Sequence, residues 1–358
     1  MAEFNGKKIF EATPADFREE KASFLASIEK FKLKKQAEAK AHRDAYLTPE
    51  KLFANREDYV RAYEEMILLH KEEESGVPKY KKEHIGSDDF GEIYKLAVEV
   101  MPEFWFHGIL TIPHGVERAP LVIAQHGGGG TPELCNDFIG ENNYTCFTKY
   151  ILERGMIVFS PQLLLWRFKM VTGETFPPYP GLEFDRDKID GALEKVGESI
   201  TGLEVFCLKR CIDLLETMDF VDKDRIGMLG LSYGGFYSMY TAAVEPRIKV
   251  VYSAGVFNDR SSFAMRSWSW RNSSYQFHDA EVCALIAPRP LFVDIGQDDP
   301  VFDTSYSVEE AARVKKYYTY LGKEENFTYN YWKGGHRFDI AGGNIHRFLD
   351  AVEQAAQK

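Results

Sequence analysis

Ser232 lies in the stretch GLSYGG (230–235), where a glycine stands two residues away on each side. The apolar run RIGMLGL (225–231) precedes the serine and a helical pattern begins at Tyr233, so the sequence predicts a tight strand-to-helix turn. Glycines leave room for the strained backbone of such a turn, and the hydroxyl then projects above the edge of a sheet. In this context Ser232 is a candidate nucleophile, whereas the same letters elsewhere would be an ordinary glycine turn.

A serine nucleophile that attacks a carbonyl needs donors for the negative charge that develops on the oxygen. The stretch HGGGG (126–130) follows the apolar run LVIAQ (121–125), and its glycines leave backbone N–H groups unobstructed. We expect the N–H groups of Gly128 and Tyr233 to form this oxyanion hole, with the glycine on either side of Gly128 as an alternative to it.

A carboxylate should orient the base, and the loop after PLFVDIG (290–296) offers two. Asp299 lies outside the predicted strand and is free to reach a histidine, so we expect it to be the acid. Asp298 is the first alternative, and Asp294, inside the strand, is a weaker one. The alternative without a catalytic role is that these residues form only a solvated Asp-Pro turn.

The base should follow the last strand, where the loop WKGGH (332–336) ends in His336. The chain has nine histidines, but His346 falls on the face of the terminal helix, and only His336 combines a late position with a glycine loop. Ser232, His336 and Asp299 together predict attack on a carbonyl, an acyl-enzyme and its hydrolysis by water. This chemistry requires neither a metal nor an organic cofactor.

The elements that must position these residues follow from the periodicity. Residues 1–90 are charged and helical in pattern, and we expect a helical N-terminal extension in which one amphipathic helix begins at Thr48. From about residue 92 two antiparallel strands are followed by short apolar runs that alternate with helices. This pattern predicts an α/β domain over 91–358, with a mostly parallel central sheet and helices on both faces. Two inserts interrupt the domain, near 163–200 and 258–280.

Composition excludes several classes of function. The 358 residues carry a net charge of −11, which disfavours nucleic-acid binding. The N-terminus has no apolar leader and no run is long enough to span a bilayer, so we expect a cytoplasmic protein with no membrane partner. The five cysteines have neither the number nor the spacing of a disulfide framework or a zinc site. Homo-oligomerisation stays open.

The motifs HGGGG, GLSYGG, ALIAPRPLFVDIGQDD (284–299) and GGHRF (334–338) resemble the α/β-hydrolase superfamily over about residues 95–356. Within it they look most like bacterial acetyl esterases of the acetyl xylan esterase and dienelactone hydrolase-like branch. The resemblance implies the α/β-hydrolase fold, the chain order Ser, Asp, His, and removal of a small acyl group from a carbohydrate or similar ester.

Two other branches share parts of the pattern. GxSYGG is similar to serine peptidases of prolyl oligopeptidase type, so a peptidase or amidase that acts on short peptides is the alternative. Those peptidases usually carry a β-propeller, which ninety helical residues cannot supply. Glucuronoyl esterases usually place cysteine and arginine around the serine, where this chain has Leu231 and Tyr233. A non-catalytic binding protein is disfavoured because every triad position is filled.

The two inserts and the glycine loop supply candidate substrate contacts, which we expect to bind a small ester, including an acylated sugar. Aromatic rings in the inserts could stack on sugar rings, and two histidines could contact substrate. Packing within a lid is the structural alternative for each. The candidates are His126, Trp166, Trp268, Trp270 and His278.

Overall fold

The structure is a computed structural model that describes residues 3–8, 18–71, 76–138, 142–165, 185–262 and 266–355. Its strands are β1 (Glu3–Phe4), β2 (Lys7–Lys8), β3 (Lys79–Ser87), β4 (Gly91–Met101), β5 (Phe104–Pro113), β6 (Ala119–Gln125), β7 (Ile157–Pro161), β8 (Val221–Leu231), β9 (Ile248–Ala254), β10 (Leu291–Gly296) and β11 (Phe327–Trp332). Its helices are α1 (Arg18–Tyr46), α2 (Pro49–Ala54), α3 (Arg56–Met66), α4 (Pro132–Cys135), α5 (Phe147–Glu153), α6 (Arg186–Leu193), α7 (Ile200–Leu215), α8 (Tyr233–Ala242), α9 (Ser273–Gln276), α10 (Asp279–Ile286), α11 (Ser307–Tyr320) and α12 (Asn344–Gln354).

A nine-stranded sheet organises the molecule, with the strand order β11-β10-β9-β8-β6-β7-β5-β4-β3. Strands β6 to β11 run parallel, and β3, β4 and β5 continue the sheet as antiparallel strands. Every residue of β6 and β10 is buried. A parallel strand covered by helices on both faces has no solvated side, so its sequence is a continuous apolar run. The predicted α/β architecture is confirmed.

The two faces of the sheet form two separate hydrophobic cores. In β6 the side chains of Leu121 and Ile123 join one core, and those of Val122 and Ala124 join the other, as the alternation of a strand requires. Helices α7, α8, α10 and α11 contribute to the first core, while α5 and α12 contribute to the second. The packed sheet therefore holds the carboxyl ends of β6, β8, β9 and β10 at one rigid edge, where ligands bind in such folds.

The N-terminal extension is helical only in part. Thr48 caps a helix with Pro49 in its first turn, as predicted, but that helix ends at Asn55 and α3 begins directly after it. Residues 79–87 form the edge strand β3 rather than a helix. Its lysines and glutamate are exposed on both faces, so the segment lacks the alternation by which a strand is recognised. Charged side chains of this kind protect a sheet edge from pairing with other chains.

Arg43 of α1 fixes the extension to the main domain through a buried ion pair. Its side chain is 1% exposed and lies 2.8 Å from Glu310 and 3.4 Å from Glu281. We expect Arg43→Met to lower the free energy of unfolding by about 3–5 kcal/mol, because two buried carboxylates would lose their shared cation. Urea unfolding of the variant and the wild type measures the difference.

Lys40→Met is the matched control, since the ion pair between Lys40 and Glu309 (2.8 Å) is largely exposed. We expect this variant to change the stability by less than about 1 kcal/mol. Equal losses in the two variants would contradict the importance of the buried pair. No helix among the described ranges combines the length and the apolar character that crossing a membrane requires.

Candidate active site

Ser232 stands between the end of β8 and the start of α8, in the strained turn that the sequence predicts. Its backbone has φ 59° and ψ −121°, a conformation that residues with a Cβ rarely adopt. The N–H of Ser232 donates to the carbonyl of Ala254 (2.7 Å), and its own carbonyl accepts from the N–H of Phe236 (2.9 Å). These two bonds tie the turn to β9 and to α8, so the backbone holds the strain without using the hydroxyl.

Close packing of α8 on the sheet explains the flanking glycines. A Cβ on Gly230 would lie 2.3 Å from the carbonyl carbon of Gly234, and a Cβ on Gly234 would lie 2.1 Å from the carbonyl oxygen of Gln125. Neither position can hold a side chain unless the helix moves away from β6 and β8. The glycines therefore allow the helix to begin directly at the serine.

His336 and Asp299 form a direct contact. The distance from Nδ1 of His336 to Oδ2 of Asp299 is 2.7 Å, and the side chains are 13% and 0% exposed. The other carboxylate oxygen, Oδ1, accepts from the N–H groups of Val301 (2.7 Å) and Phe302 (3.2 Å). Asp298 is exposed instead. Of the two acids in this loop, the structure brings Asp299 to the histidine.

Asp294, the third candidate acid, belongs to a different network. Its carboxylate is buried and accepts hydrogen bonds from Tyr252 (2.5 Å), Asn344 (2.6 Å) and Asn330 (3.2 Å). Burial raises the pKa of Asp294 above its ordinary value. The carboxylate is thus engaged on the face of the sheet that α12 covers, where it supports packing rather than the imidazole of His336.

The imidazole of His336 lies at the turn that carries Ser232. A Cβ placed on Gly255 would stand 3.2 Å from both Cε1 and Nδ1 of the ring. Gly255 directly follows Ala254, whose carbonyl accepts the N–H of Ser232. Because Asp299 engages Nδ1, Nε2 is the ring nitrogen that can exchange a proton with another group. The fold thereby brings the loops after β8, β9, β10 and β11 together.

The glycine loop passes beside the serine. A Cβ on Gly127 would lie 3.2 Å from the Cβ of Ser232. The loop closes as a turn in which the N–H of Gly130 donates to the carbonyl of Gly127 (3.0 Å). The N–H of Gly127 donates to the hydroxyl of Tyr144 (2.7 Å), so this N–H is not available to an oxyanion.

The remaining loop glycines differ in exposure, since Gly128 is buried and Gly129 is exposed. With the N–H groups of Gly127 and Gly130 bonded within the protein, the assignment of the loop donor to Gly128 stays a prediction. Tyr233 begins α8, and the amino-terminal end of a helix is the end that favours negative charge. The two predicted donors of the oxyanion hole therefore lie in elements that flank Ser232.

His126 supports the glycine loop, and this corrects its expected role as a substrate contact. The ring is fully buried, with Nδ1 2.8 Å from the carbonyl oxygen of Gly127. Nε2 accepts the N–H of Leu163 (3.0 Å) and lies 3.2 Å from the side-chain nitrogen of Gln162. Since Nε2 accepts, Nδ1 carries the proton and donates to Gly127. Both ring nitrogens are committed to the protein, which leaves neither for a substrate.

Burial lowers the pKa of His126 from 6.5 to about 4. Between these values the unfolded chain binds a proton that the folded chain does not, so this group adds stability that is complete above pH 6.5 and is lost as the pH falls. His126→Asn keeps a donor for Gly127 but does not titrate. We expect the stability difference between wild type and variant to shrink by about 2 kcal/mol from pH 7 to pH 5. Urea unfolding at the two pH values measures it, and a difference independent of pH would contradict the expectation.

Of the two tryptophans proposed to contact a sugar that the structure describes, one is buried and one is half-buried. Trp268 is 1% exposed and packs 4.2 Å from the ring of Tyr233, so no face of it is available to a substrate. Trp270 is half-buried and packs against the rings of Phe236 and Tyr240. Trp166 lies outside the described residues. The expected role of Trp268 is therefore corrected to packing behind the turn of Ser232.

His278 also has a structural position. It is 3% exposed, its Nδ1 lies 3.0 Å from Asp259, and it precedes α10 as the capping residue. Its Nε2 lies 3.2 Å from the hydroxyl of Ser274. Burial and these partners place it within the insert rather than on a substrate surface, which corrects the expectation for this residue as well.

Three residues at the site escaped the sequence analysis. Tyr144 accepts the N–H of Gly127, Asn143 donates from its side chain to the carbonyl of His336 (3.4 Å), and the Phe302 ring lies 5.6 Å from the imidazole of His336. They lie in loops without motif or periodicity, and only Phe302, three residues after Asp299, is close in sequence to a predicted site residue. Among the ranges that the structure describes, no group of three or more His, Cys, Asp or Glu side chains could hold a metal ion.

Known proteins are similar to part of this sequence and to its fold. No protein-family model matches the chain. It is 30% identical over 168 residues to 2,6-dihydropseudooxynicotine hydrolase of Paenarthrobacter nicotinovorans, a match that covers 47% of this chain but only 36% of that protein. A match over about a third of the relative's length does not extend to its whole activity.

Solved structures match over most of the chain. Acetyl xylan esterase 1 of Thermoanaerobacterium sp. JW/SL YS485 has a TM-score of 0.53 and 18% identity, with 83% of this chain and 93% of that chain covered. A glucuronoyl esterase of Solibacter usitatus has a TM-score of 0.61 and 14% identity, with 85% and 93% covered. The sheet order, the strand-to-helix turn at Ser232 and these neighbours show that the chain has the α/β-hydrolase fold.

Proposed function

We propose that this protein is a serine carboxylic-ester hydrolase that uses Ser232, His336 and Asp299. The observation that carries the proposal is the 2.7 Å contact between His336 and Asp299, with the imidazole beside Gly255, the residue after the one that bonds the strained turn of Ser232. An imidazole braced by a buried carboxylate beside a serine at a strand-to-helix turn is the arrangement of a nucleophile with its base. The proposal assigns the chemistry to residues 91–358, with 1–90 as a supporting extension.

In the first half of the reaction, Nε2 of His336 takes the proton of Ser232 as Oγ attacks the ester carbonyl carbon. Asp299 keeps Nδ1 protonated and stabilises the imidazolium that forms. Its second oxygen is held by two backbone N–H groups, so the carboxylate cannot rotate away from the ring without losing them. The tautomer that accepts the serine proton is therefore fixed before substrate binds.

The carbonyl oxygen becomes an oxyanion as the tetrahedral intermediate forms, and the N–H groups of Gly128 and Tyr233 stabilise it. Such preorganised donors act in a site with little water, where each contributes about a hundred- to a thousandfold to turnover. The imidazolium of His336 then gives its proton to the leaving alkoxide, and the alcohol departs. A water molecule, activated by the same imidazole, attacks the acyl-enzyme and restores the hydroxyl of Ser232.

The proposed substrate is a small acyl ester, such as an acetyl group on a carbohydrate or a similar alcohol. Support comes from the solved neighbours, which are acetyl xylan esterases and glucuronoyl esterases by name. The residues around the nucleophile favour the first group, because Leu231 and Tyr233 stand where glucuronoyl esterases usually carry cysteine and arginine. Tyr233, a neutral and buried side chain, stands at the position of the arginine and offers no charge that would bind a uronate carboxylate.

Hydrolysis of p-nitrophenyl acetate, compared with an aminoacyl p-nitroanilide, tests the proposal. We expect rapid, saturable release of p-nitrophenolate and little release of nitroaniline. A preference for the anilide would indicate the peptidase or amidase instead. Covalent labelling by a fluorophosphonate should block turnover, and peptide mapping should find the label on Ser232. If the protein hydrolyses neither substrate and takes no label, the enzymatic role is contradicted. If it hydrolyses p-nitrophenyl acetate, a panel of acetylated oligosaccharides ranks the natural esters.

A further inference from the structure

Tyr144 fills the concave side of the glycine turn. Its hydroxyl accepts the N–H of Gly127 at 2.7 Å, and the side chain is buried. A Cβ added to Gly130 would stand only 1.9 Å from this hydroxyl oxygen, and one added to Gly127 would stand 3.4 Å from it. The absence of side chains at Gly127 and Gly130 therefore leaves room for the Tyr144 hydroxyl, and at Gly127 it also leaves room for Ser232.

The backbone next to Tyr144 is strained. Thr145 and Cys146 have φ values of 55° and 57°, in the left-handed region that a β-branched threonine seldom enters. Local bonds hold this conformation: the side chain of Asn142 accepts the N–H of Tyr144 (2.8 Å), and the Thr145 hydroxyl donates to the carbonyl of Tyr144 (2.6 Å). Strain that the surrounding structure maintains is frequent where a side chain must be held in one position.

The same segment also reaches the base. The side chain of Asn143 donates to the backbone carbonyl of His336 at 3.4 Å, one residue before Tyr144. Two consecutive residues thus contact the oxyanion loop and the loop of the proposed base. Since β6 and β11 carry these loops at distant places in the sheet, the segment 142–146 is a direct link between them.

We propose that Tyr144 is a positioning residue for the oxyanion hole, an inference that rests on the proposed function. Its hydroxyl takes the N–H of Gly127 and thereby fixes the rotation of the glycine turn, so that the next N–H, that of Gly128, faces the oxygen of the substrate carbonyl attached to Ser232. Tyr144 itself does not touch the reacting atoms. Its hydroxyl matters more to the transition state than to the bound ester, because an oxyanion depends on donor alignment more strongly than a neutral carbonyl does.

Tyr144→Phe removes only the hydroxyl. We expect kcat for p-nitrophenyl acetate to fall by about tenfold to a hundredfold, less than the loss of a whole oxyanion donor, while KM changes by less than about twofold. The affinity for phenylboronic acid, which forms a tetrahedral adduct with a serine hydroxyl, should fall by the same factor as kcat/KM. A merely structural role would not produce this proportionality.

Tyr318→Phe is the matched control. Tyr318 is likewise buried and bonded to a backbone group, the carbonyl of Arg289 at 2.8 Å, but it lies near the start of β10, at the opposite edge of the sheet. We expect it to lose stability as Tyr144→Phe does and to keep wild-type kcat. If Tyr144→Phe also keeps wild-type kcat while Ser232→Ala is inactive, the positioning role is wrong and the proposed function stands. If Ser232→Ala is active, the proposed function is wrong instead.

Gly130→Ala supplies a second variant in case Tyr144→Phe does not fold, because it displaces the hydroxyl without removing it. We expect a similar loss of kcat from Gly130→Ala alone. In the Tyr144→Phe background the contact with the hydroxyl oxygen is gone, and contacts of 2.9 Å with Cζ of residue 144 and with Cβ of His126 remain, so the further effect of the methyl group should be smaller than in the wild type but not absent. Losses that multiply independently in the double variant, or a kcat loss without a matching loss of boronate affinity, would overturn the inference.

Discussion

Replacing Ser232 with alanine should lower kcat/KM for p-nitrophenyl acetate by about 10⁴-fold or more while the fold stays intact. In the proposed mechanism the hydroxyl oxygen is the atom that forms the acyl-enzyme, and alanine offers no atom to replace it. The backbone bonds of the turn, to Ala254 and from Phe236, do not involve the side chain, so the structure has no reason to change. Steady-state kinetics and circular dichroism measure the two halves of this expectation, and the burst of p-nitrophenolate should disappear.

Ser232→Gly separates the roles of the hydroxyl and of the backbone. At φ 59° and ψ −121° a glycine is unstrained whereas alanine is not, so we expect the glycine variant to be about 1 kcal/mol more stable than the alanine variant. Both should be inactive. A stability order of this kind with no activity in either variant would show that the turn stores strain in order to present the hydroxyl. Near wild-type turnover in either variant would place the nucleophile elsewhere.

The proposed catalytic residues were accessible to sequence analysis because each lies in the turn or loop that follows a predicted strand, directly after it for Ser232 and a few residues later for Asp299 and His336. The second half of β8 and the whole of β10 are buried and can be recognised as short, largely apolar runs, and their ends mark the carboxyl edge of the sheet. The residues after those ends, Ser232 and Asp299, must therefore lie at one edge whatever the helices do. Topology alone brings them near each other, and the glycines of 334–335 let His336 turn back to them.

The substrate contacts could not be predicted from the sequence in this way, because the burial of a side chain in a loop depends on which other segments pack over it. His126 adjoins the glycine loop in sequence, a position that predicts contact with the crevice, but its side chain is buried and its acceptor nitrogen is bonded to the N–H of Leu163, from the loop after β7. Trp268 lies in an insert, where an aromatic ring is equally compatible with a lid and with a core. Periodicity carries no information about either residue, since neither belongs to a regular element on which one face is solvated.

Edge strand β3 and Tyr144 were missed for related reasons. A strand with both faces exposed has no hydrophobic alternation, so the composition of β3 cannot be distinguished from that of the charged helices before it. Tyr144 acts through a single hydroxyl that reaches a loop 17 residues away, and its neighbours Thr145 and Cys146 adopt a conformation that their residue types do not favour. Where the local preference of the chain is overridden in this manner, a functional constraint is a more specific explanation than chance.

Asp299→Asn should lower kcat by about 10³- to 10⁴-fold with little change in KM. In the wild type, Oδ1 accepts two backbone N–H groups, from Val301 and Phe302, and Oδ2 accepts from Nδ1 of His336. An asparagine has to keep its carbonyl oxygen towards the two N–H groups, because its NH₂ group cannot accept from them. The NH₂ group is then directed at Nδ1, which forces the imidazole proton onto Nε2 and leaves no acceptor for the proton of Ser232. Kinetics with p-nitrophenyl acetate measure the loss.

Asp298→Asn distinguishes the two acids of the same loop by the identical chemical change. Asp298 is exposed, and the bond that joins it to the histidine loop comes from its backbone N–H to the carbonyl of Gly334 (2.9 Å), which the substitution leaves in place. We therefore expect kcat within about twofold of wild type, since a solvated carboxylate contributes little to a site that it does not contact. The reverse ranking of the two variants would transfer the role of the acid to Asp298. Equal and small losses would instead mean that His336 needs no carboxylate, and a base that works without its orienting acid would have to be held by Phe302 and Asn143 alone.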